Sequence, residues 1–412
     1  MISPKLCIKC KGKRLCGLSY CPILLKHSEQ QRVVANIKGN SFTGSSPPSL
    51  FVSWSNYPEV QIAPLAPTEV MNSEMLDAPE KWFGLTEERI ISLRQQLLRS
   101  SKRLDVNSAS NPDYDLVEMQ ELVMASNPTA IDVKLKSKPL PKLSFHESIA
   151  PLGPSAPLIK MSLEENPRIA RKIDYTVSDT DLKSADALLS LYKSGFPISR
   201  LYKLLSAGTL GIGKNRKLVP TRWSISATDD AIGKALIDEI KYFQQLGEIQ
   251  LFMSEYLGNR FFILLVPGSW SFESLETWIP GSVWYQEKDA SKIHIIQDHE
   301  FYGGRKTYAS NVEGAYYSAR LAVCEYLKKI KRQASAIVFR EISSEYQVGL
   351  GVWVIRESAR NAFSKKPLAF SSLKLALAFV EKKLQTPFRL WKKESKLLDF
   401  LQNQRKLADY IK

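Results

Sequence analysis

Two apolar runs, Ile249 to Tyr256 and Asn259 to Val266, are separated by only Leu257 and Gly258. A connection this short joins strands only as an antiparallel hairpin, because parallel neighbours need a crossover of a dozen residues or more. The segments that follow switch between the two periodicities. Ser310 to Lys331 puts Val312, Ala315, Tyr316, Ala319, Val323 and Tyr326 on one helical stripe. Ala336 to Ile342 and Val348 to Ile355 read as strands, with strand-like pieces at Ser282 to Tyr285 and Ile293 to Gln297. Ser371 to Lys383 and Ser395 to Ile411 read as helices on either side of Pro387. This order, without an internal repeat, predicts an α+β body of antiparallel strands and packed helices.

The preceding chain has a different texture. Thr86 to Leu98 is predicted helical, with Thr86 as cap and Glu87 and Glu88 in the first turn, where the helix dipole favours acids. Residues 105–168 are rich in Pro, Ser and Asn and read as mostly irregular, apart from a helix around Val117 to Met124. Leu182 to Lys193 and Ile198 to Leu205 form a predicted helical hairpin, broken by Gly195 and Pro197. Asp229 and Asp230 open a further helix that Gly247 ends. These features divide the 412 residues into a cysteine-rich knob with a basic segment (1–40), an irregular Pro-rich region (41–175), a main α+β domain (176–390) and a C-terminal helix (391–412).

Charge narrows the partners. The formal net charge is +15, which favours a polyanion, either nucleic acid or an anionic membrane surface. The excess lies at the ends: residues 1–39 carry eight Lys or Arg against the single acid Glu29, and residues 364–412 carry twelve against four. The strongest apolar run, Phe261 to Pro267, is far too short to span a bilayer, and the basic N-terminus lacks the apolar core of a signal peptide. The expected compartment is the reducing cytoplasm, with no membrane partner.

Four of the five cysteines, Cys7, Cys10, Cys16 and Cys21, fall in a C-x2-C-x5-C-x4-C pattern. Two cysteines separated by two residues can place both thiolates on one metal, and two more close behind complete a tetrahedron. A structural zinc is expected, because its binding folds a segment too small to hold a core. An iron–sulfur cluster takes the same four ligands and is the alternative. Disulfides would suit an oxidising compartment instead. Lys9, Lys11, Lys13 and Arg14 would offset the negative charge of four thiolates on zinc, or touch phosphates. The fifth, Cys324, sits in an apolar helical pattern and reads as a small core residue.

The chain ends Gln404-Arg405-Lys406-Leu407-Ala408-Asp409-Tyr410-Ile411-Lys412. This resembles the clamp-binding motif of PCNA-interacting proteins: Gln, two residues, an aliphatic, two residues, then two bulky hydrophobes. The resemblance implies a PCNA-type sliding clamp as partner, with Gln404 in a small polar pocket and Leu407 and Tyr410 in an apolar one. Ile411 departs from the usual second aromatic. The competing reading is an ordinary packing helix, since Leu397, Leu401, Leu407, Ala408 and Ile411 nearly continue one stripe.

Several segments together resemble the archaeal Nre family of DNA repair proteins over nearly the whole chain: the cysteine knob, Leu218 to Ile225, Gly304 to Ala309, Arg340 to Tyr346, Gly351 to Glu357 and the terminal peptide. The resemblance implies a DNA repair role with DNA and the clamp as partners, and association with the nucleoid through that clamp. It carries over no catalytic residue.

Arg222, Arg305, Tyr308, Arg340, Glu341, Glu345 and Arg356, with His299 and Glu357, cluster near probable strand ends. Arginines suit phosphates, and a glutamate beside them can serve as a base. That set would make the body an enzyme acting on nucleic acid or a nucleotide. The plainer reading is a network of ion pairs around the core. No Walker-type phosphate loop, dinucleotide fingerprint or His–Glu–His metalloprotease pattern is present. Trp223, Trp270, Trp278, Trp284, Trp353 and Trp391 include residues able to stack on bases, although most such rings serve packing. Basic ends with a zinc knob also suit an RNA- or ribosome-associated protein.

Overall fold

The structure, a computed structural model, describes residues 9–15, 19–141, 151–280, 282 and 293–403. It is α+β, with antiparallel strands and packed helices, and divides into two compact units. The first takes residues 2–232 and 348–350, the second 233–347 and 351–412.

The first unit runs α1 (Pro22–Ala35), β1 (Ser41–Ser46), β2 (Leu50–Val52), β3 (Glu59–Ala66), α2 (Glu87–Gln95), β4 (Leu98–Asp105), α3 (Tyr114–Met124), β5 (Thr129–Leu135), β6 (Ser155–Leu163), α4 (Arg171–Ser178), α5 (Ser184–Lys193), α6 (Ile198–Ser206) and α7 (Thr221–Ile240), within which the second unit begins. Its sheet has the order β1-β5-β6-β4-β3-β2, antiparallel except where β4 meets β6. Thr86 caps α2 as its sequence indicates, its side chain accepting from the Arg89 N–H. Asp113 does the same for α3 through Leu116.

The described residues of 105–168 are far more regular than expected. They hold α3, β5 and β6, and Ile131, Val133 and Leu135 of β5 alternate into the core while Asp132 and Lys134 face out. That period-two signal was hidden by the prolines around it. Pro157, inside β6, sits beside a register slip between Lys134 and Leu135, where a missing N–H is tolerated. Helix α7 also begins earlier than the acids at 229 and 230 suggested. Pro220 starts it, and Asp229 lies buried in its middle.

The buried carboxylate of Asp77 ties several of these elements together. It accepts from Ser49 before β2, from Arg94 on α2 and from Lys203 Nζ (2.7 Å) on α6. Burial alone would raise its pKa, but the two cations outweigh that and hold the carboxyl down to about 2.

The second unit contains β7 (Ile249–Tyr256), β8 (Asn259–Val266), β9 (Ser271–Trp278), β10 (Ile295–Glu300), α8 (Gly314–Ile330), β11 (Ser335–Ile342), α9 (Trp353–Phe363), β12 (Leu368–Phe370), α10 (Leu373–Lys383), α11 (Phe388–Glu394) and α12 (Lys396–Asn403). The sheet order is β10-β9-β11-β8-β7-β12, with β9 and β11 parallel. Strands β7 and β8 form the hairpin that the sequence requires. Leu257 and Gly258 both have positive φ, the geometry of a two-residue turn matched to strand twist. A Cβ at Gly258 would come within 2.8 Å of the Tyr346 nitrogen, so glycine is needed there for space as well.

Every residue of β11 is buried. Ile337 and Phe339 point to a core closed by Leu377 and Val380 of α10, Trp391 of α11, and Leu397 and Leu398 of α12. On the other face, Tyr316 of α8 packs edge-on to Phe272 of β9, and Phe363 of α9 packs edge-on to Phe252 of β7. The run Val348 to Ile355 is not a strand. It turns at Gly351 (φ +103°) into α9, where Trp353, Arg356 and Ala359 recur at helical spacing. Of the other expected segments, 283–285 and 404–411 lie outside the described residues.

Helix α12 is fixed by a buried acid. Glu273 of β9 accepts from Ser395 Oγ, the Lys396 N–H (2.7 Å) and the Leu397 N–H (3.3 Å), capping the helix that leads into the terminal peptide. Burial pushes its carboxyl up from 4.5 to about 7, against the opposing pull of these hydrogen bonds. A raised pKa in the folded state means that this group's contribution to stability is fully present below about 4.5 and is lost as pH rises through about 7. In Glu273→Gln this contribution should vanish. The variant is expected to gain about 3 kcal/mol relative to the parent between pH 4.5 and pH 8. Denaturant unfolding at both pH values measures it, and a pH-independent difference would refute the assignment.

Candidate functional site

Of the polar residues singled out from the sequence, Arg305, Arg340 and Glu341 are held in separate ion pairs. On the α8-facing side of the second sheet, three carboxylates of β9 and β10 each meet an arginine. Arg340 donates to Glu276 Oε1 (3.0 Å) and twice to Asn259 Oδ1 (3.1 and 2.6 Å). Arg305 meets Asp298 Oδ1 at 3.0 Å, and Arg320 of α8 donates to Glu300 Oε2 at 2.8 Å. The Glu276–Arg340 pair is set directly by the parallel register of β9 and β11. Trp270 Nε1 also donates to Glu300, and the Asn311 and Val312 N–H groups to Asp298.

Glu341 follows Arg340 on the same strand and therefore faces the opposite side. There it accepts from the Gln385 and Thr386 N–H groups (3.0 and 2.7 Å) and lies 3.6 Å from Arg260 Nη1. The structure does bring Arg305 and Tyr308 together, through a 3.1 Å bond from the guanidinium to the Tyr308 carbonyl. The Tyr308 ring is half exposed and stacks on Tyr317. His299 has its pKa lowered by burial and by the Arg305 guanidinium. Arg356 is buried on α9 and donates to Ser318 Oγ of α8 (3.4 Å). Glu345 lies exposed in the turn after β11. Arg222 is exposed on the first turn of α7, in the first unit. The charges of Arg340, Glu341 and Arg305 are thus taken up in holding strands, helices and loops together.

Of the cysteine knob, Cys10 and Cys21 are described, whereas Cys7 and Cys16 lie outside the described residues. Cys10 is buried, and its Sγ accepts from the Leu15 N–H at 3.2 Å across a tight turn in which Lys11, Gly12 and Arg14 have positive φ. A sulfur folded into backbone donors in this way suits a thiolate ligand. Among the described residues no group of three or more His, Cys, Asp or Glu side chains is placed to hold a metal. Cys324 is buried, and burial raises its thiol pKa far above the ordinary value, which disfavours the reactive thiolate. Gln404, Leu407, Tyr410 and Ile411 lie outside the described residues.

One site was missed from the sequence. On the outward face of the first sheet, a cleft of about 610 Å³ is lined by Lys38, Thr43, Asp132, Lys134, Lys160 and Ser162, among others. The β5–β6 register sets Lys134 directly opposite Lys160. Like charges facing each other across a ladder are unfavourable. Asp132 is nearby, hydrogen-bonded by Thr43 Oγ1, but among the described residues none of these lysines forms an ion pair within 4.0 Å. An anion in the cleft would relieve that repulsion. The signal was the alternation of Lys134, Lys136 and Lys138 with Val133 and Leu135, which marks a basic strand face.

A two-unit α+β protein with a basic cleft and a cysteine turn at its N-terminus is the class defined so far. The archaeal Nre N-terminal model matches residues 15–285 and the archaeal Nre C-terminal model matches residues 300–410. The chain belongs to the archaeal Nre family. It is 36% identical to the DNA repair protein NreB of Archaeoglobus fulgidus over 95% of this chain and 96% of that one. It is 38% identical to the DNA repair protein NreA of the same organism over 92% and 94% of the two chains. Identity to the DNA repair protein NreA of Haloferax volcanii is 36%, over 82% and 83%. No solved structure matches the chain. Among the described residues no helix is long and apolar enough to cross a membrane.

Proposed function

We propose that this chain is a DNA repair protein that contacts nucleic acid with basic surfaces and is recruited to a sliding clamp by its C-terminal peptide. The observation that carries the nucleic-acid part is the opposed pair Lys134 and Lys160 beside Lys38 over the open cleft. Cations that face each other without an ion-pair partner suit phosphates, whose binding releases counterions. The relatives, all named DNA repair proteins, supply the setting. In a salt titration of duplex DNA binding followed by anisotropy, Lys134→Glu with Lys160→Glu should weaken binding at least about tenfold and reduce the slope of log K against log salt by about two. An unchanged slope would remove this face from the DNA contact, and tighter binding of structured RNA than of duplex DNA would favour an RNA partner.

The clamp part is supported by the terminal pattern Gln404, Leu407, Tyr410 and Ile411, which begins one residue after α12 ends. A peptide of this kind docks as a short helix in a groove, anchored by its apolar side chains. Leu407→Ala with Tyr410→Ala should abolish the binding heat of the full chain with a PCNA-type clamp while leaving its thermal unfolding unchanged. Equal affinity of parent and variant in calorimetry would sink the clamp assignment.

The N-terminal turn is proposed to hold a structural zinc through Cys7, Cys10, Cys16 and Cys21. When bound, the metal supplies a cross-link to a segment too short to be held by a core of its own. The buried Cys10 sulfur with its backbone donor supports that role. Elemental analysis of the purified chain should find one zinc per molecule, lost in Cys10→Ser. Iron with acid-labile sulfide would instead indicate a cluster.

A further inference from the structure

We propose that the first unit carries a stacking platform for unpaired DNA bases, built from Tyr57 and Trp223 with Trp54 on the same turn as Tyr57. The inference rests on the DNA-contact reading above and deepens it by naming the form of DNA. Three large aromatic side chains are held at the surface here: Trp54 is 55% exposed, Tyr57 50% and Trp223 45%. Single exposed apolar residues are ordinary, but two exposed rings in contact, with a third on the same turn, mark a binding surface. The Tyr57 and Trp223 ring centroids lie 5.1 Å apart with planes inclined by 56°. Trp54 forms no ring contact among the described residues.

The platform is held in place from below. Tyr57 and Trp54 belong to one turn, the Tyr57 N–H donating to the Trp54 carbonyl at 3.4 Å. Trp223 lies on the first turn of α7, its N–H donating to the Pro220 carbonyl at 2.8 Å. Between the two segments, Thr221 Oγ1 accepts from the Val52 N–H (2.9 Å) and lies 3.2 Å from Ser206 Oγ. The loop leading to Trp223 is pinned by Leu218 N–H to the Val106 carbonyl and by Val219 N–H to the Ser206 carbonyl. Rings fixed in advance lose little freedom when a flat ligand covers them.

Charge selects a nucleic acid as the occupant. Lys214, Lys217 and Arg222 precede Trp223 in sequence without an intervening acid and are exposed, whereas the Arg216 guanidinium donates to the Gly211 and Val177 carbonyls. Glu59, on the strand after Tyr57, faces Arg103 at 4.0 Å, and Asp105 is occupied in capping Asn107. Exposed rings on a chain segment rich in exposed cations suit bases without sequence preference, since every base has a π-face. A duplex keeps its bases stacked internally, so the platform discriminates in favour of single strands, frayed ends and extruded bases.

The test compares full-length chains in anisotropy titrations with two probes, an oligodeoxythymidylate of about twelve nucleotides and a blunt duplex of equal length. Tyr57→Ala with Trp223→Ala is expected to weaken oligodeoxythymidylate binding about tenfold or more and to leave duplex binding within about twofold. Trp223→Phe, which keeps a stacking ring, should retain most of the affinity. Equal oligodeoxythymidylate affinity of the double variant and the parent overturns the platform while leaving the DNA-contact reading intact. Failure of the parent to bind either probe overturns both. Loss of clamp binding in the double variant, with oligodeoxythymidylate binding unchanged, would make the patch a protein-docking surface and also overturns the proposal. Should the double variant not fold, photo-crosslinking of an iododeoxyuridine oligomer to the parent decides: adducts on Trp54, Tyr57 or Trp223 support the platform, and adducts confined elsewhere overturn it.

Discussion

Strand β11 must be satisfied on both of its faces at once, and much of the second unit follows from that. A strand with all eight residues buried cannot send a charged side chain to water, yet β11 carries Arg340 and Glu341 in succession. Alternation sends them to opposite faces, so each face needs its own counter-group. Parallel pairing with β9 delivers Glu276 to Arg340, and the start of β8 delivers Asn259. On the other side, the chain between α10 and α11 bends its N–H groups onto Glu341. A shift of one residue in β11 would exchange the two side chains and leave two buried charges unpaired, which is far more costly than a lost apolar contact. The ion pairs therefore define register more than they add stability.

The same logic explains how much of the molecule was legible. The β7–β8 hairpin was readable because a two-residue link has one solution, and Leu257 and Gly258 both adopt the positive φ it demands. Helix α8 was readable because its stripe persists over several turns. The strands β5 and β6 were not, since Pro157 and the surrounding Ser, Asn and Pro residues mask a pattern that only the paired register makes regular. Val348 to Ile355 was misread because Val352, Trp353, Val354 and Ile355 look like strand residues, although Gly351 and the spacing to Ala359 make them the first turn of a helix buried on one side. Local preference yielded there to packing.

The polar residues teach a related lesson. Sequence shows that Arg305, Arg340 and Glu341 are many polar groups near strand ends, but not which face each takes, and face decides between chemistry and scaffolding. The lysine cleft is the reverse case. Lys134 and Lys160 lie far apart in sequence and become a site only because β5 and β6 are neighbours. Arginines with carboxylates at 3 Å are already neutralised, whereas facing lysines that form no ion pair still have charge to offer a ligand.

This difference also bears on how a repair protein of the proposed kind would divide its work. A few lysines on an open sheet face give weak, salt-sensitive binding that reads no sequence. Tethering compensates for weakness, because a second contact made from an anchored position acts at a high effective concentration. Glu273 spends a buried carboxylate on capping α12, a helix of only eight residues whose Leu397 and Leu398 are sealed in the core. The last described turn is therefore fixed to the body immediately before Gln404, where the proposed clamp peptide begins. A clamp bound at that peptide would hold the body close to the DNA it encircles, and weak phosphate contacts would then suffice to position the protein without trapping it on undamaged duplex.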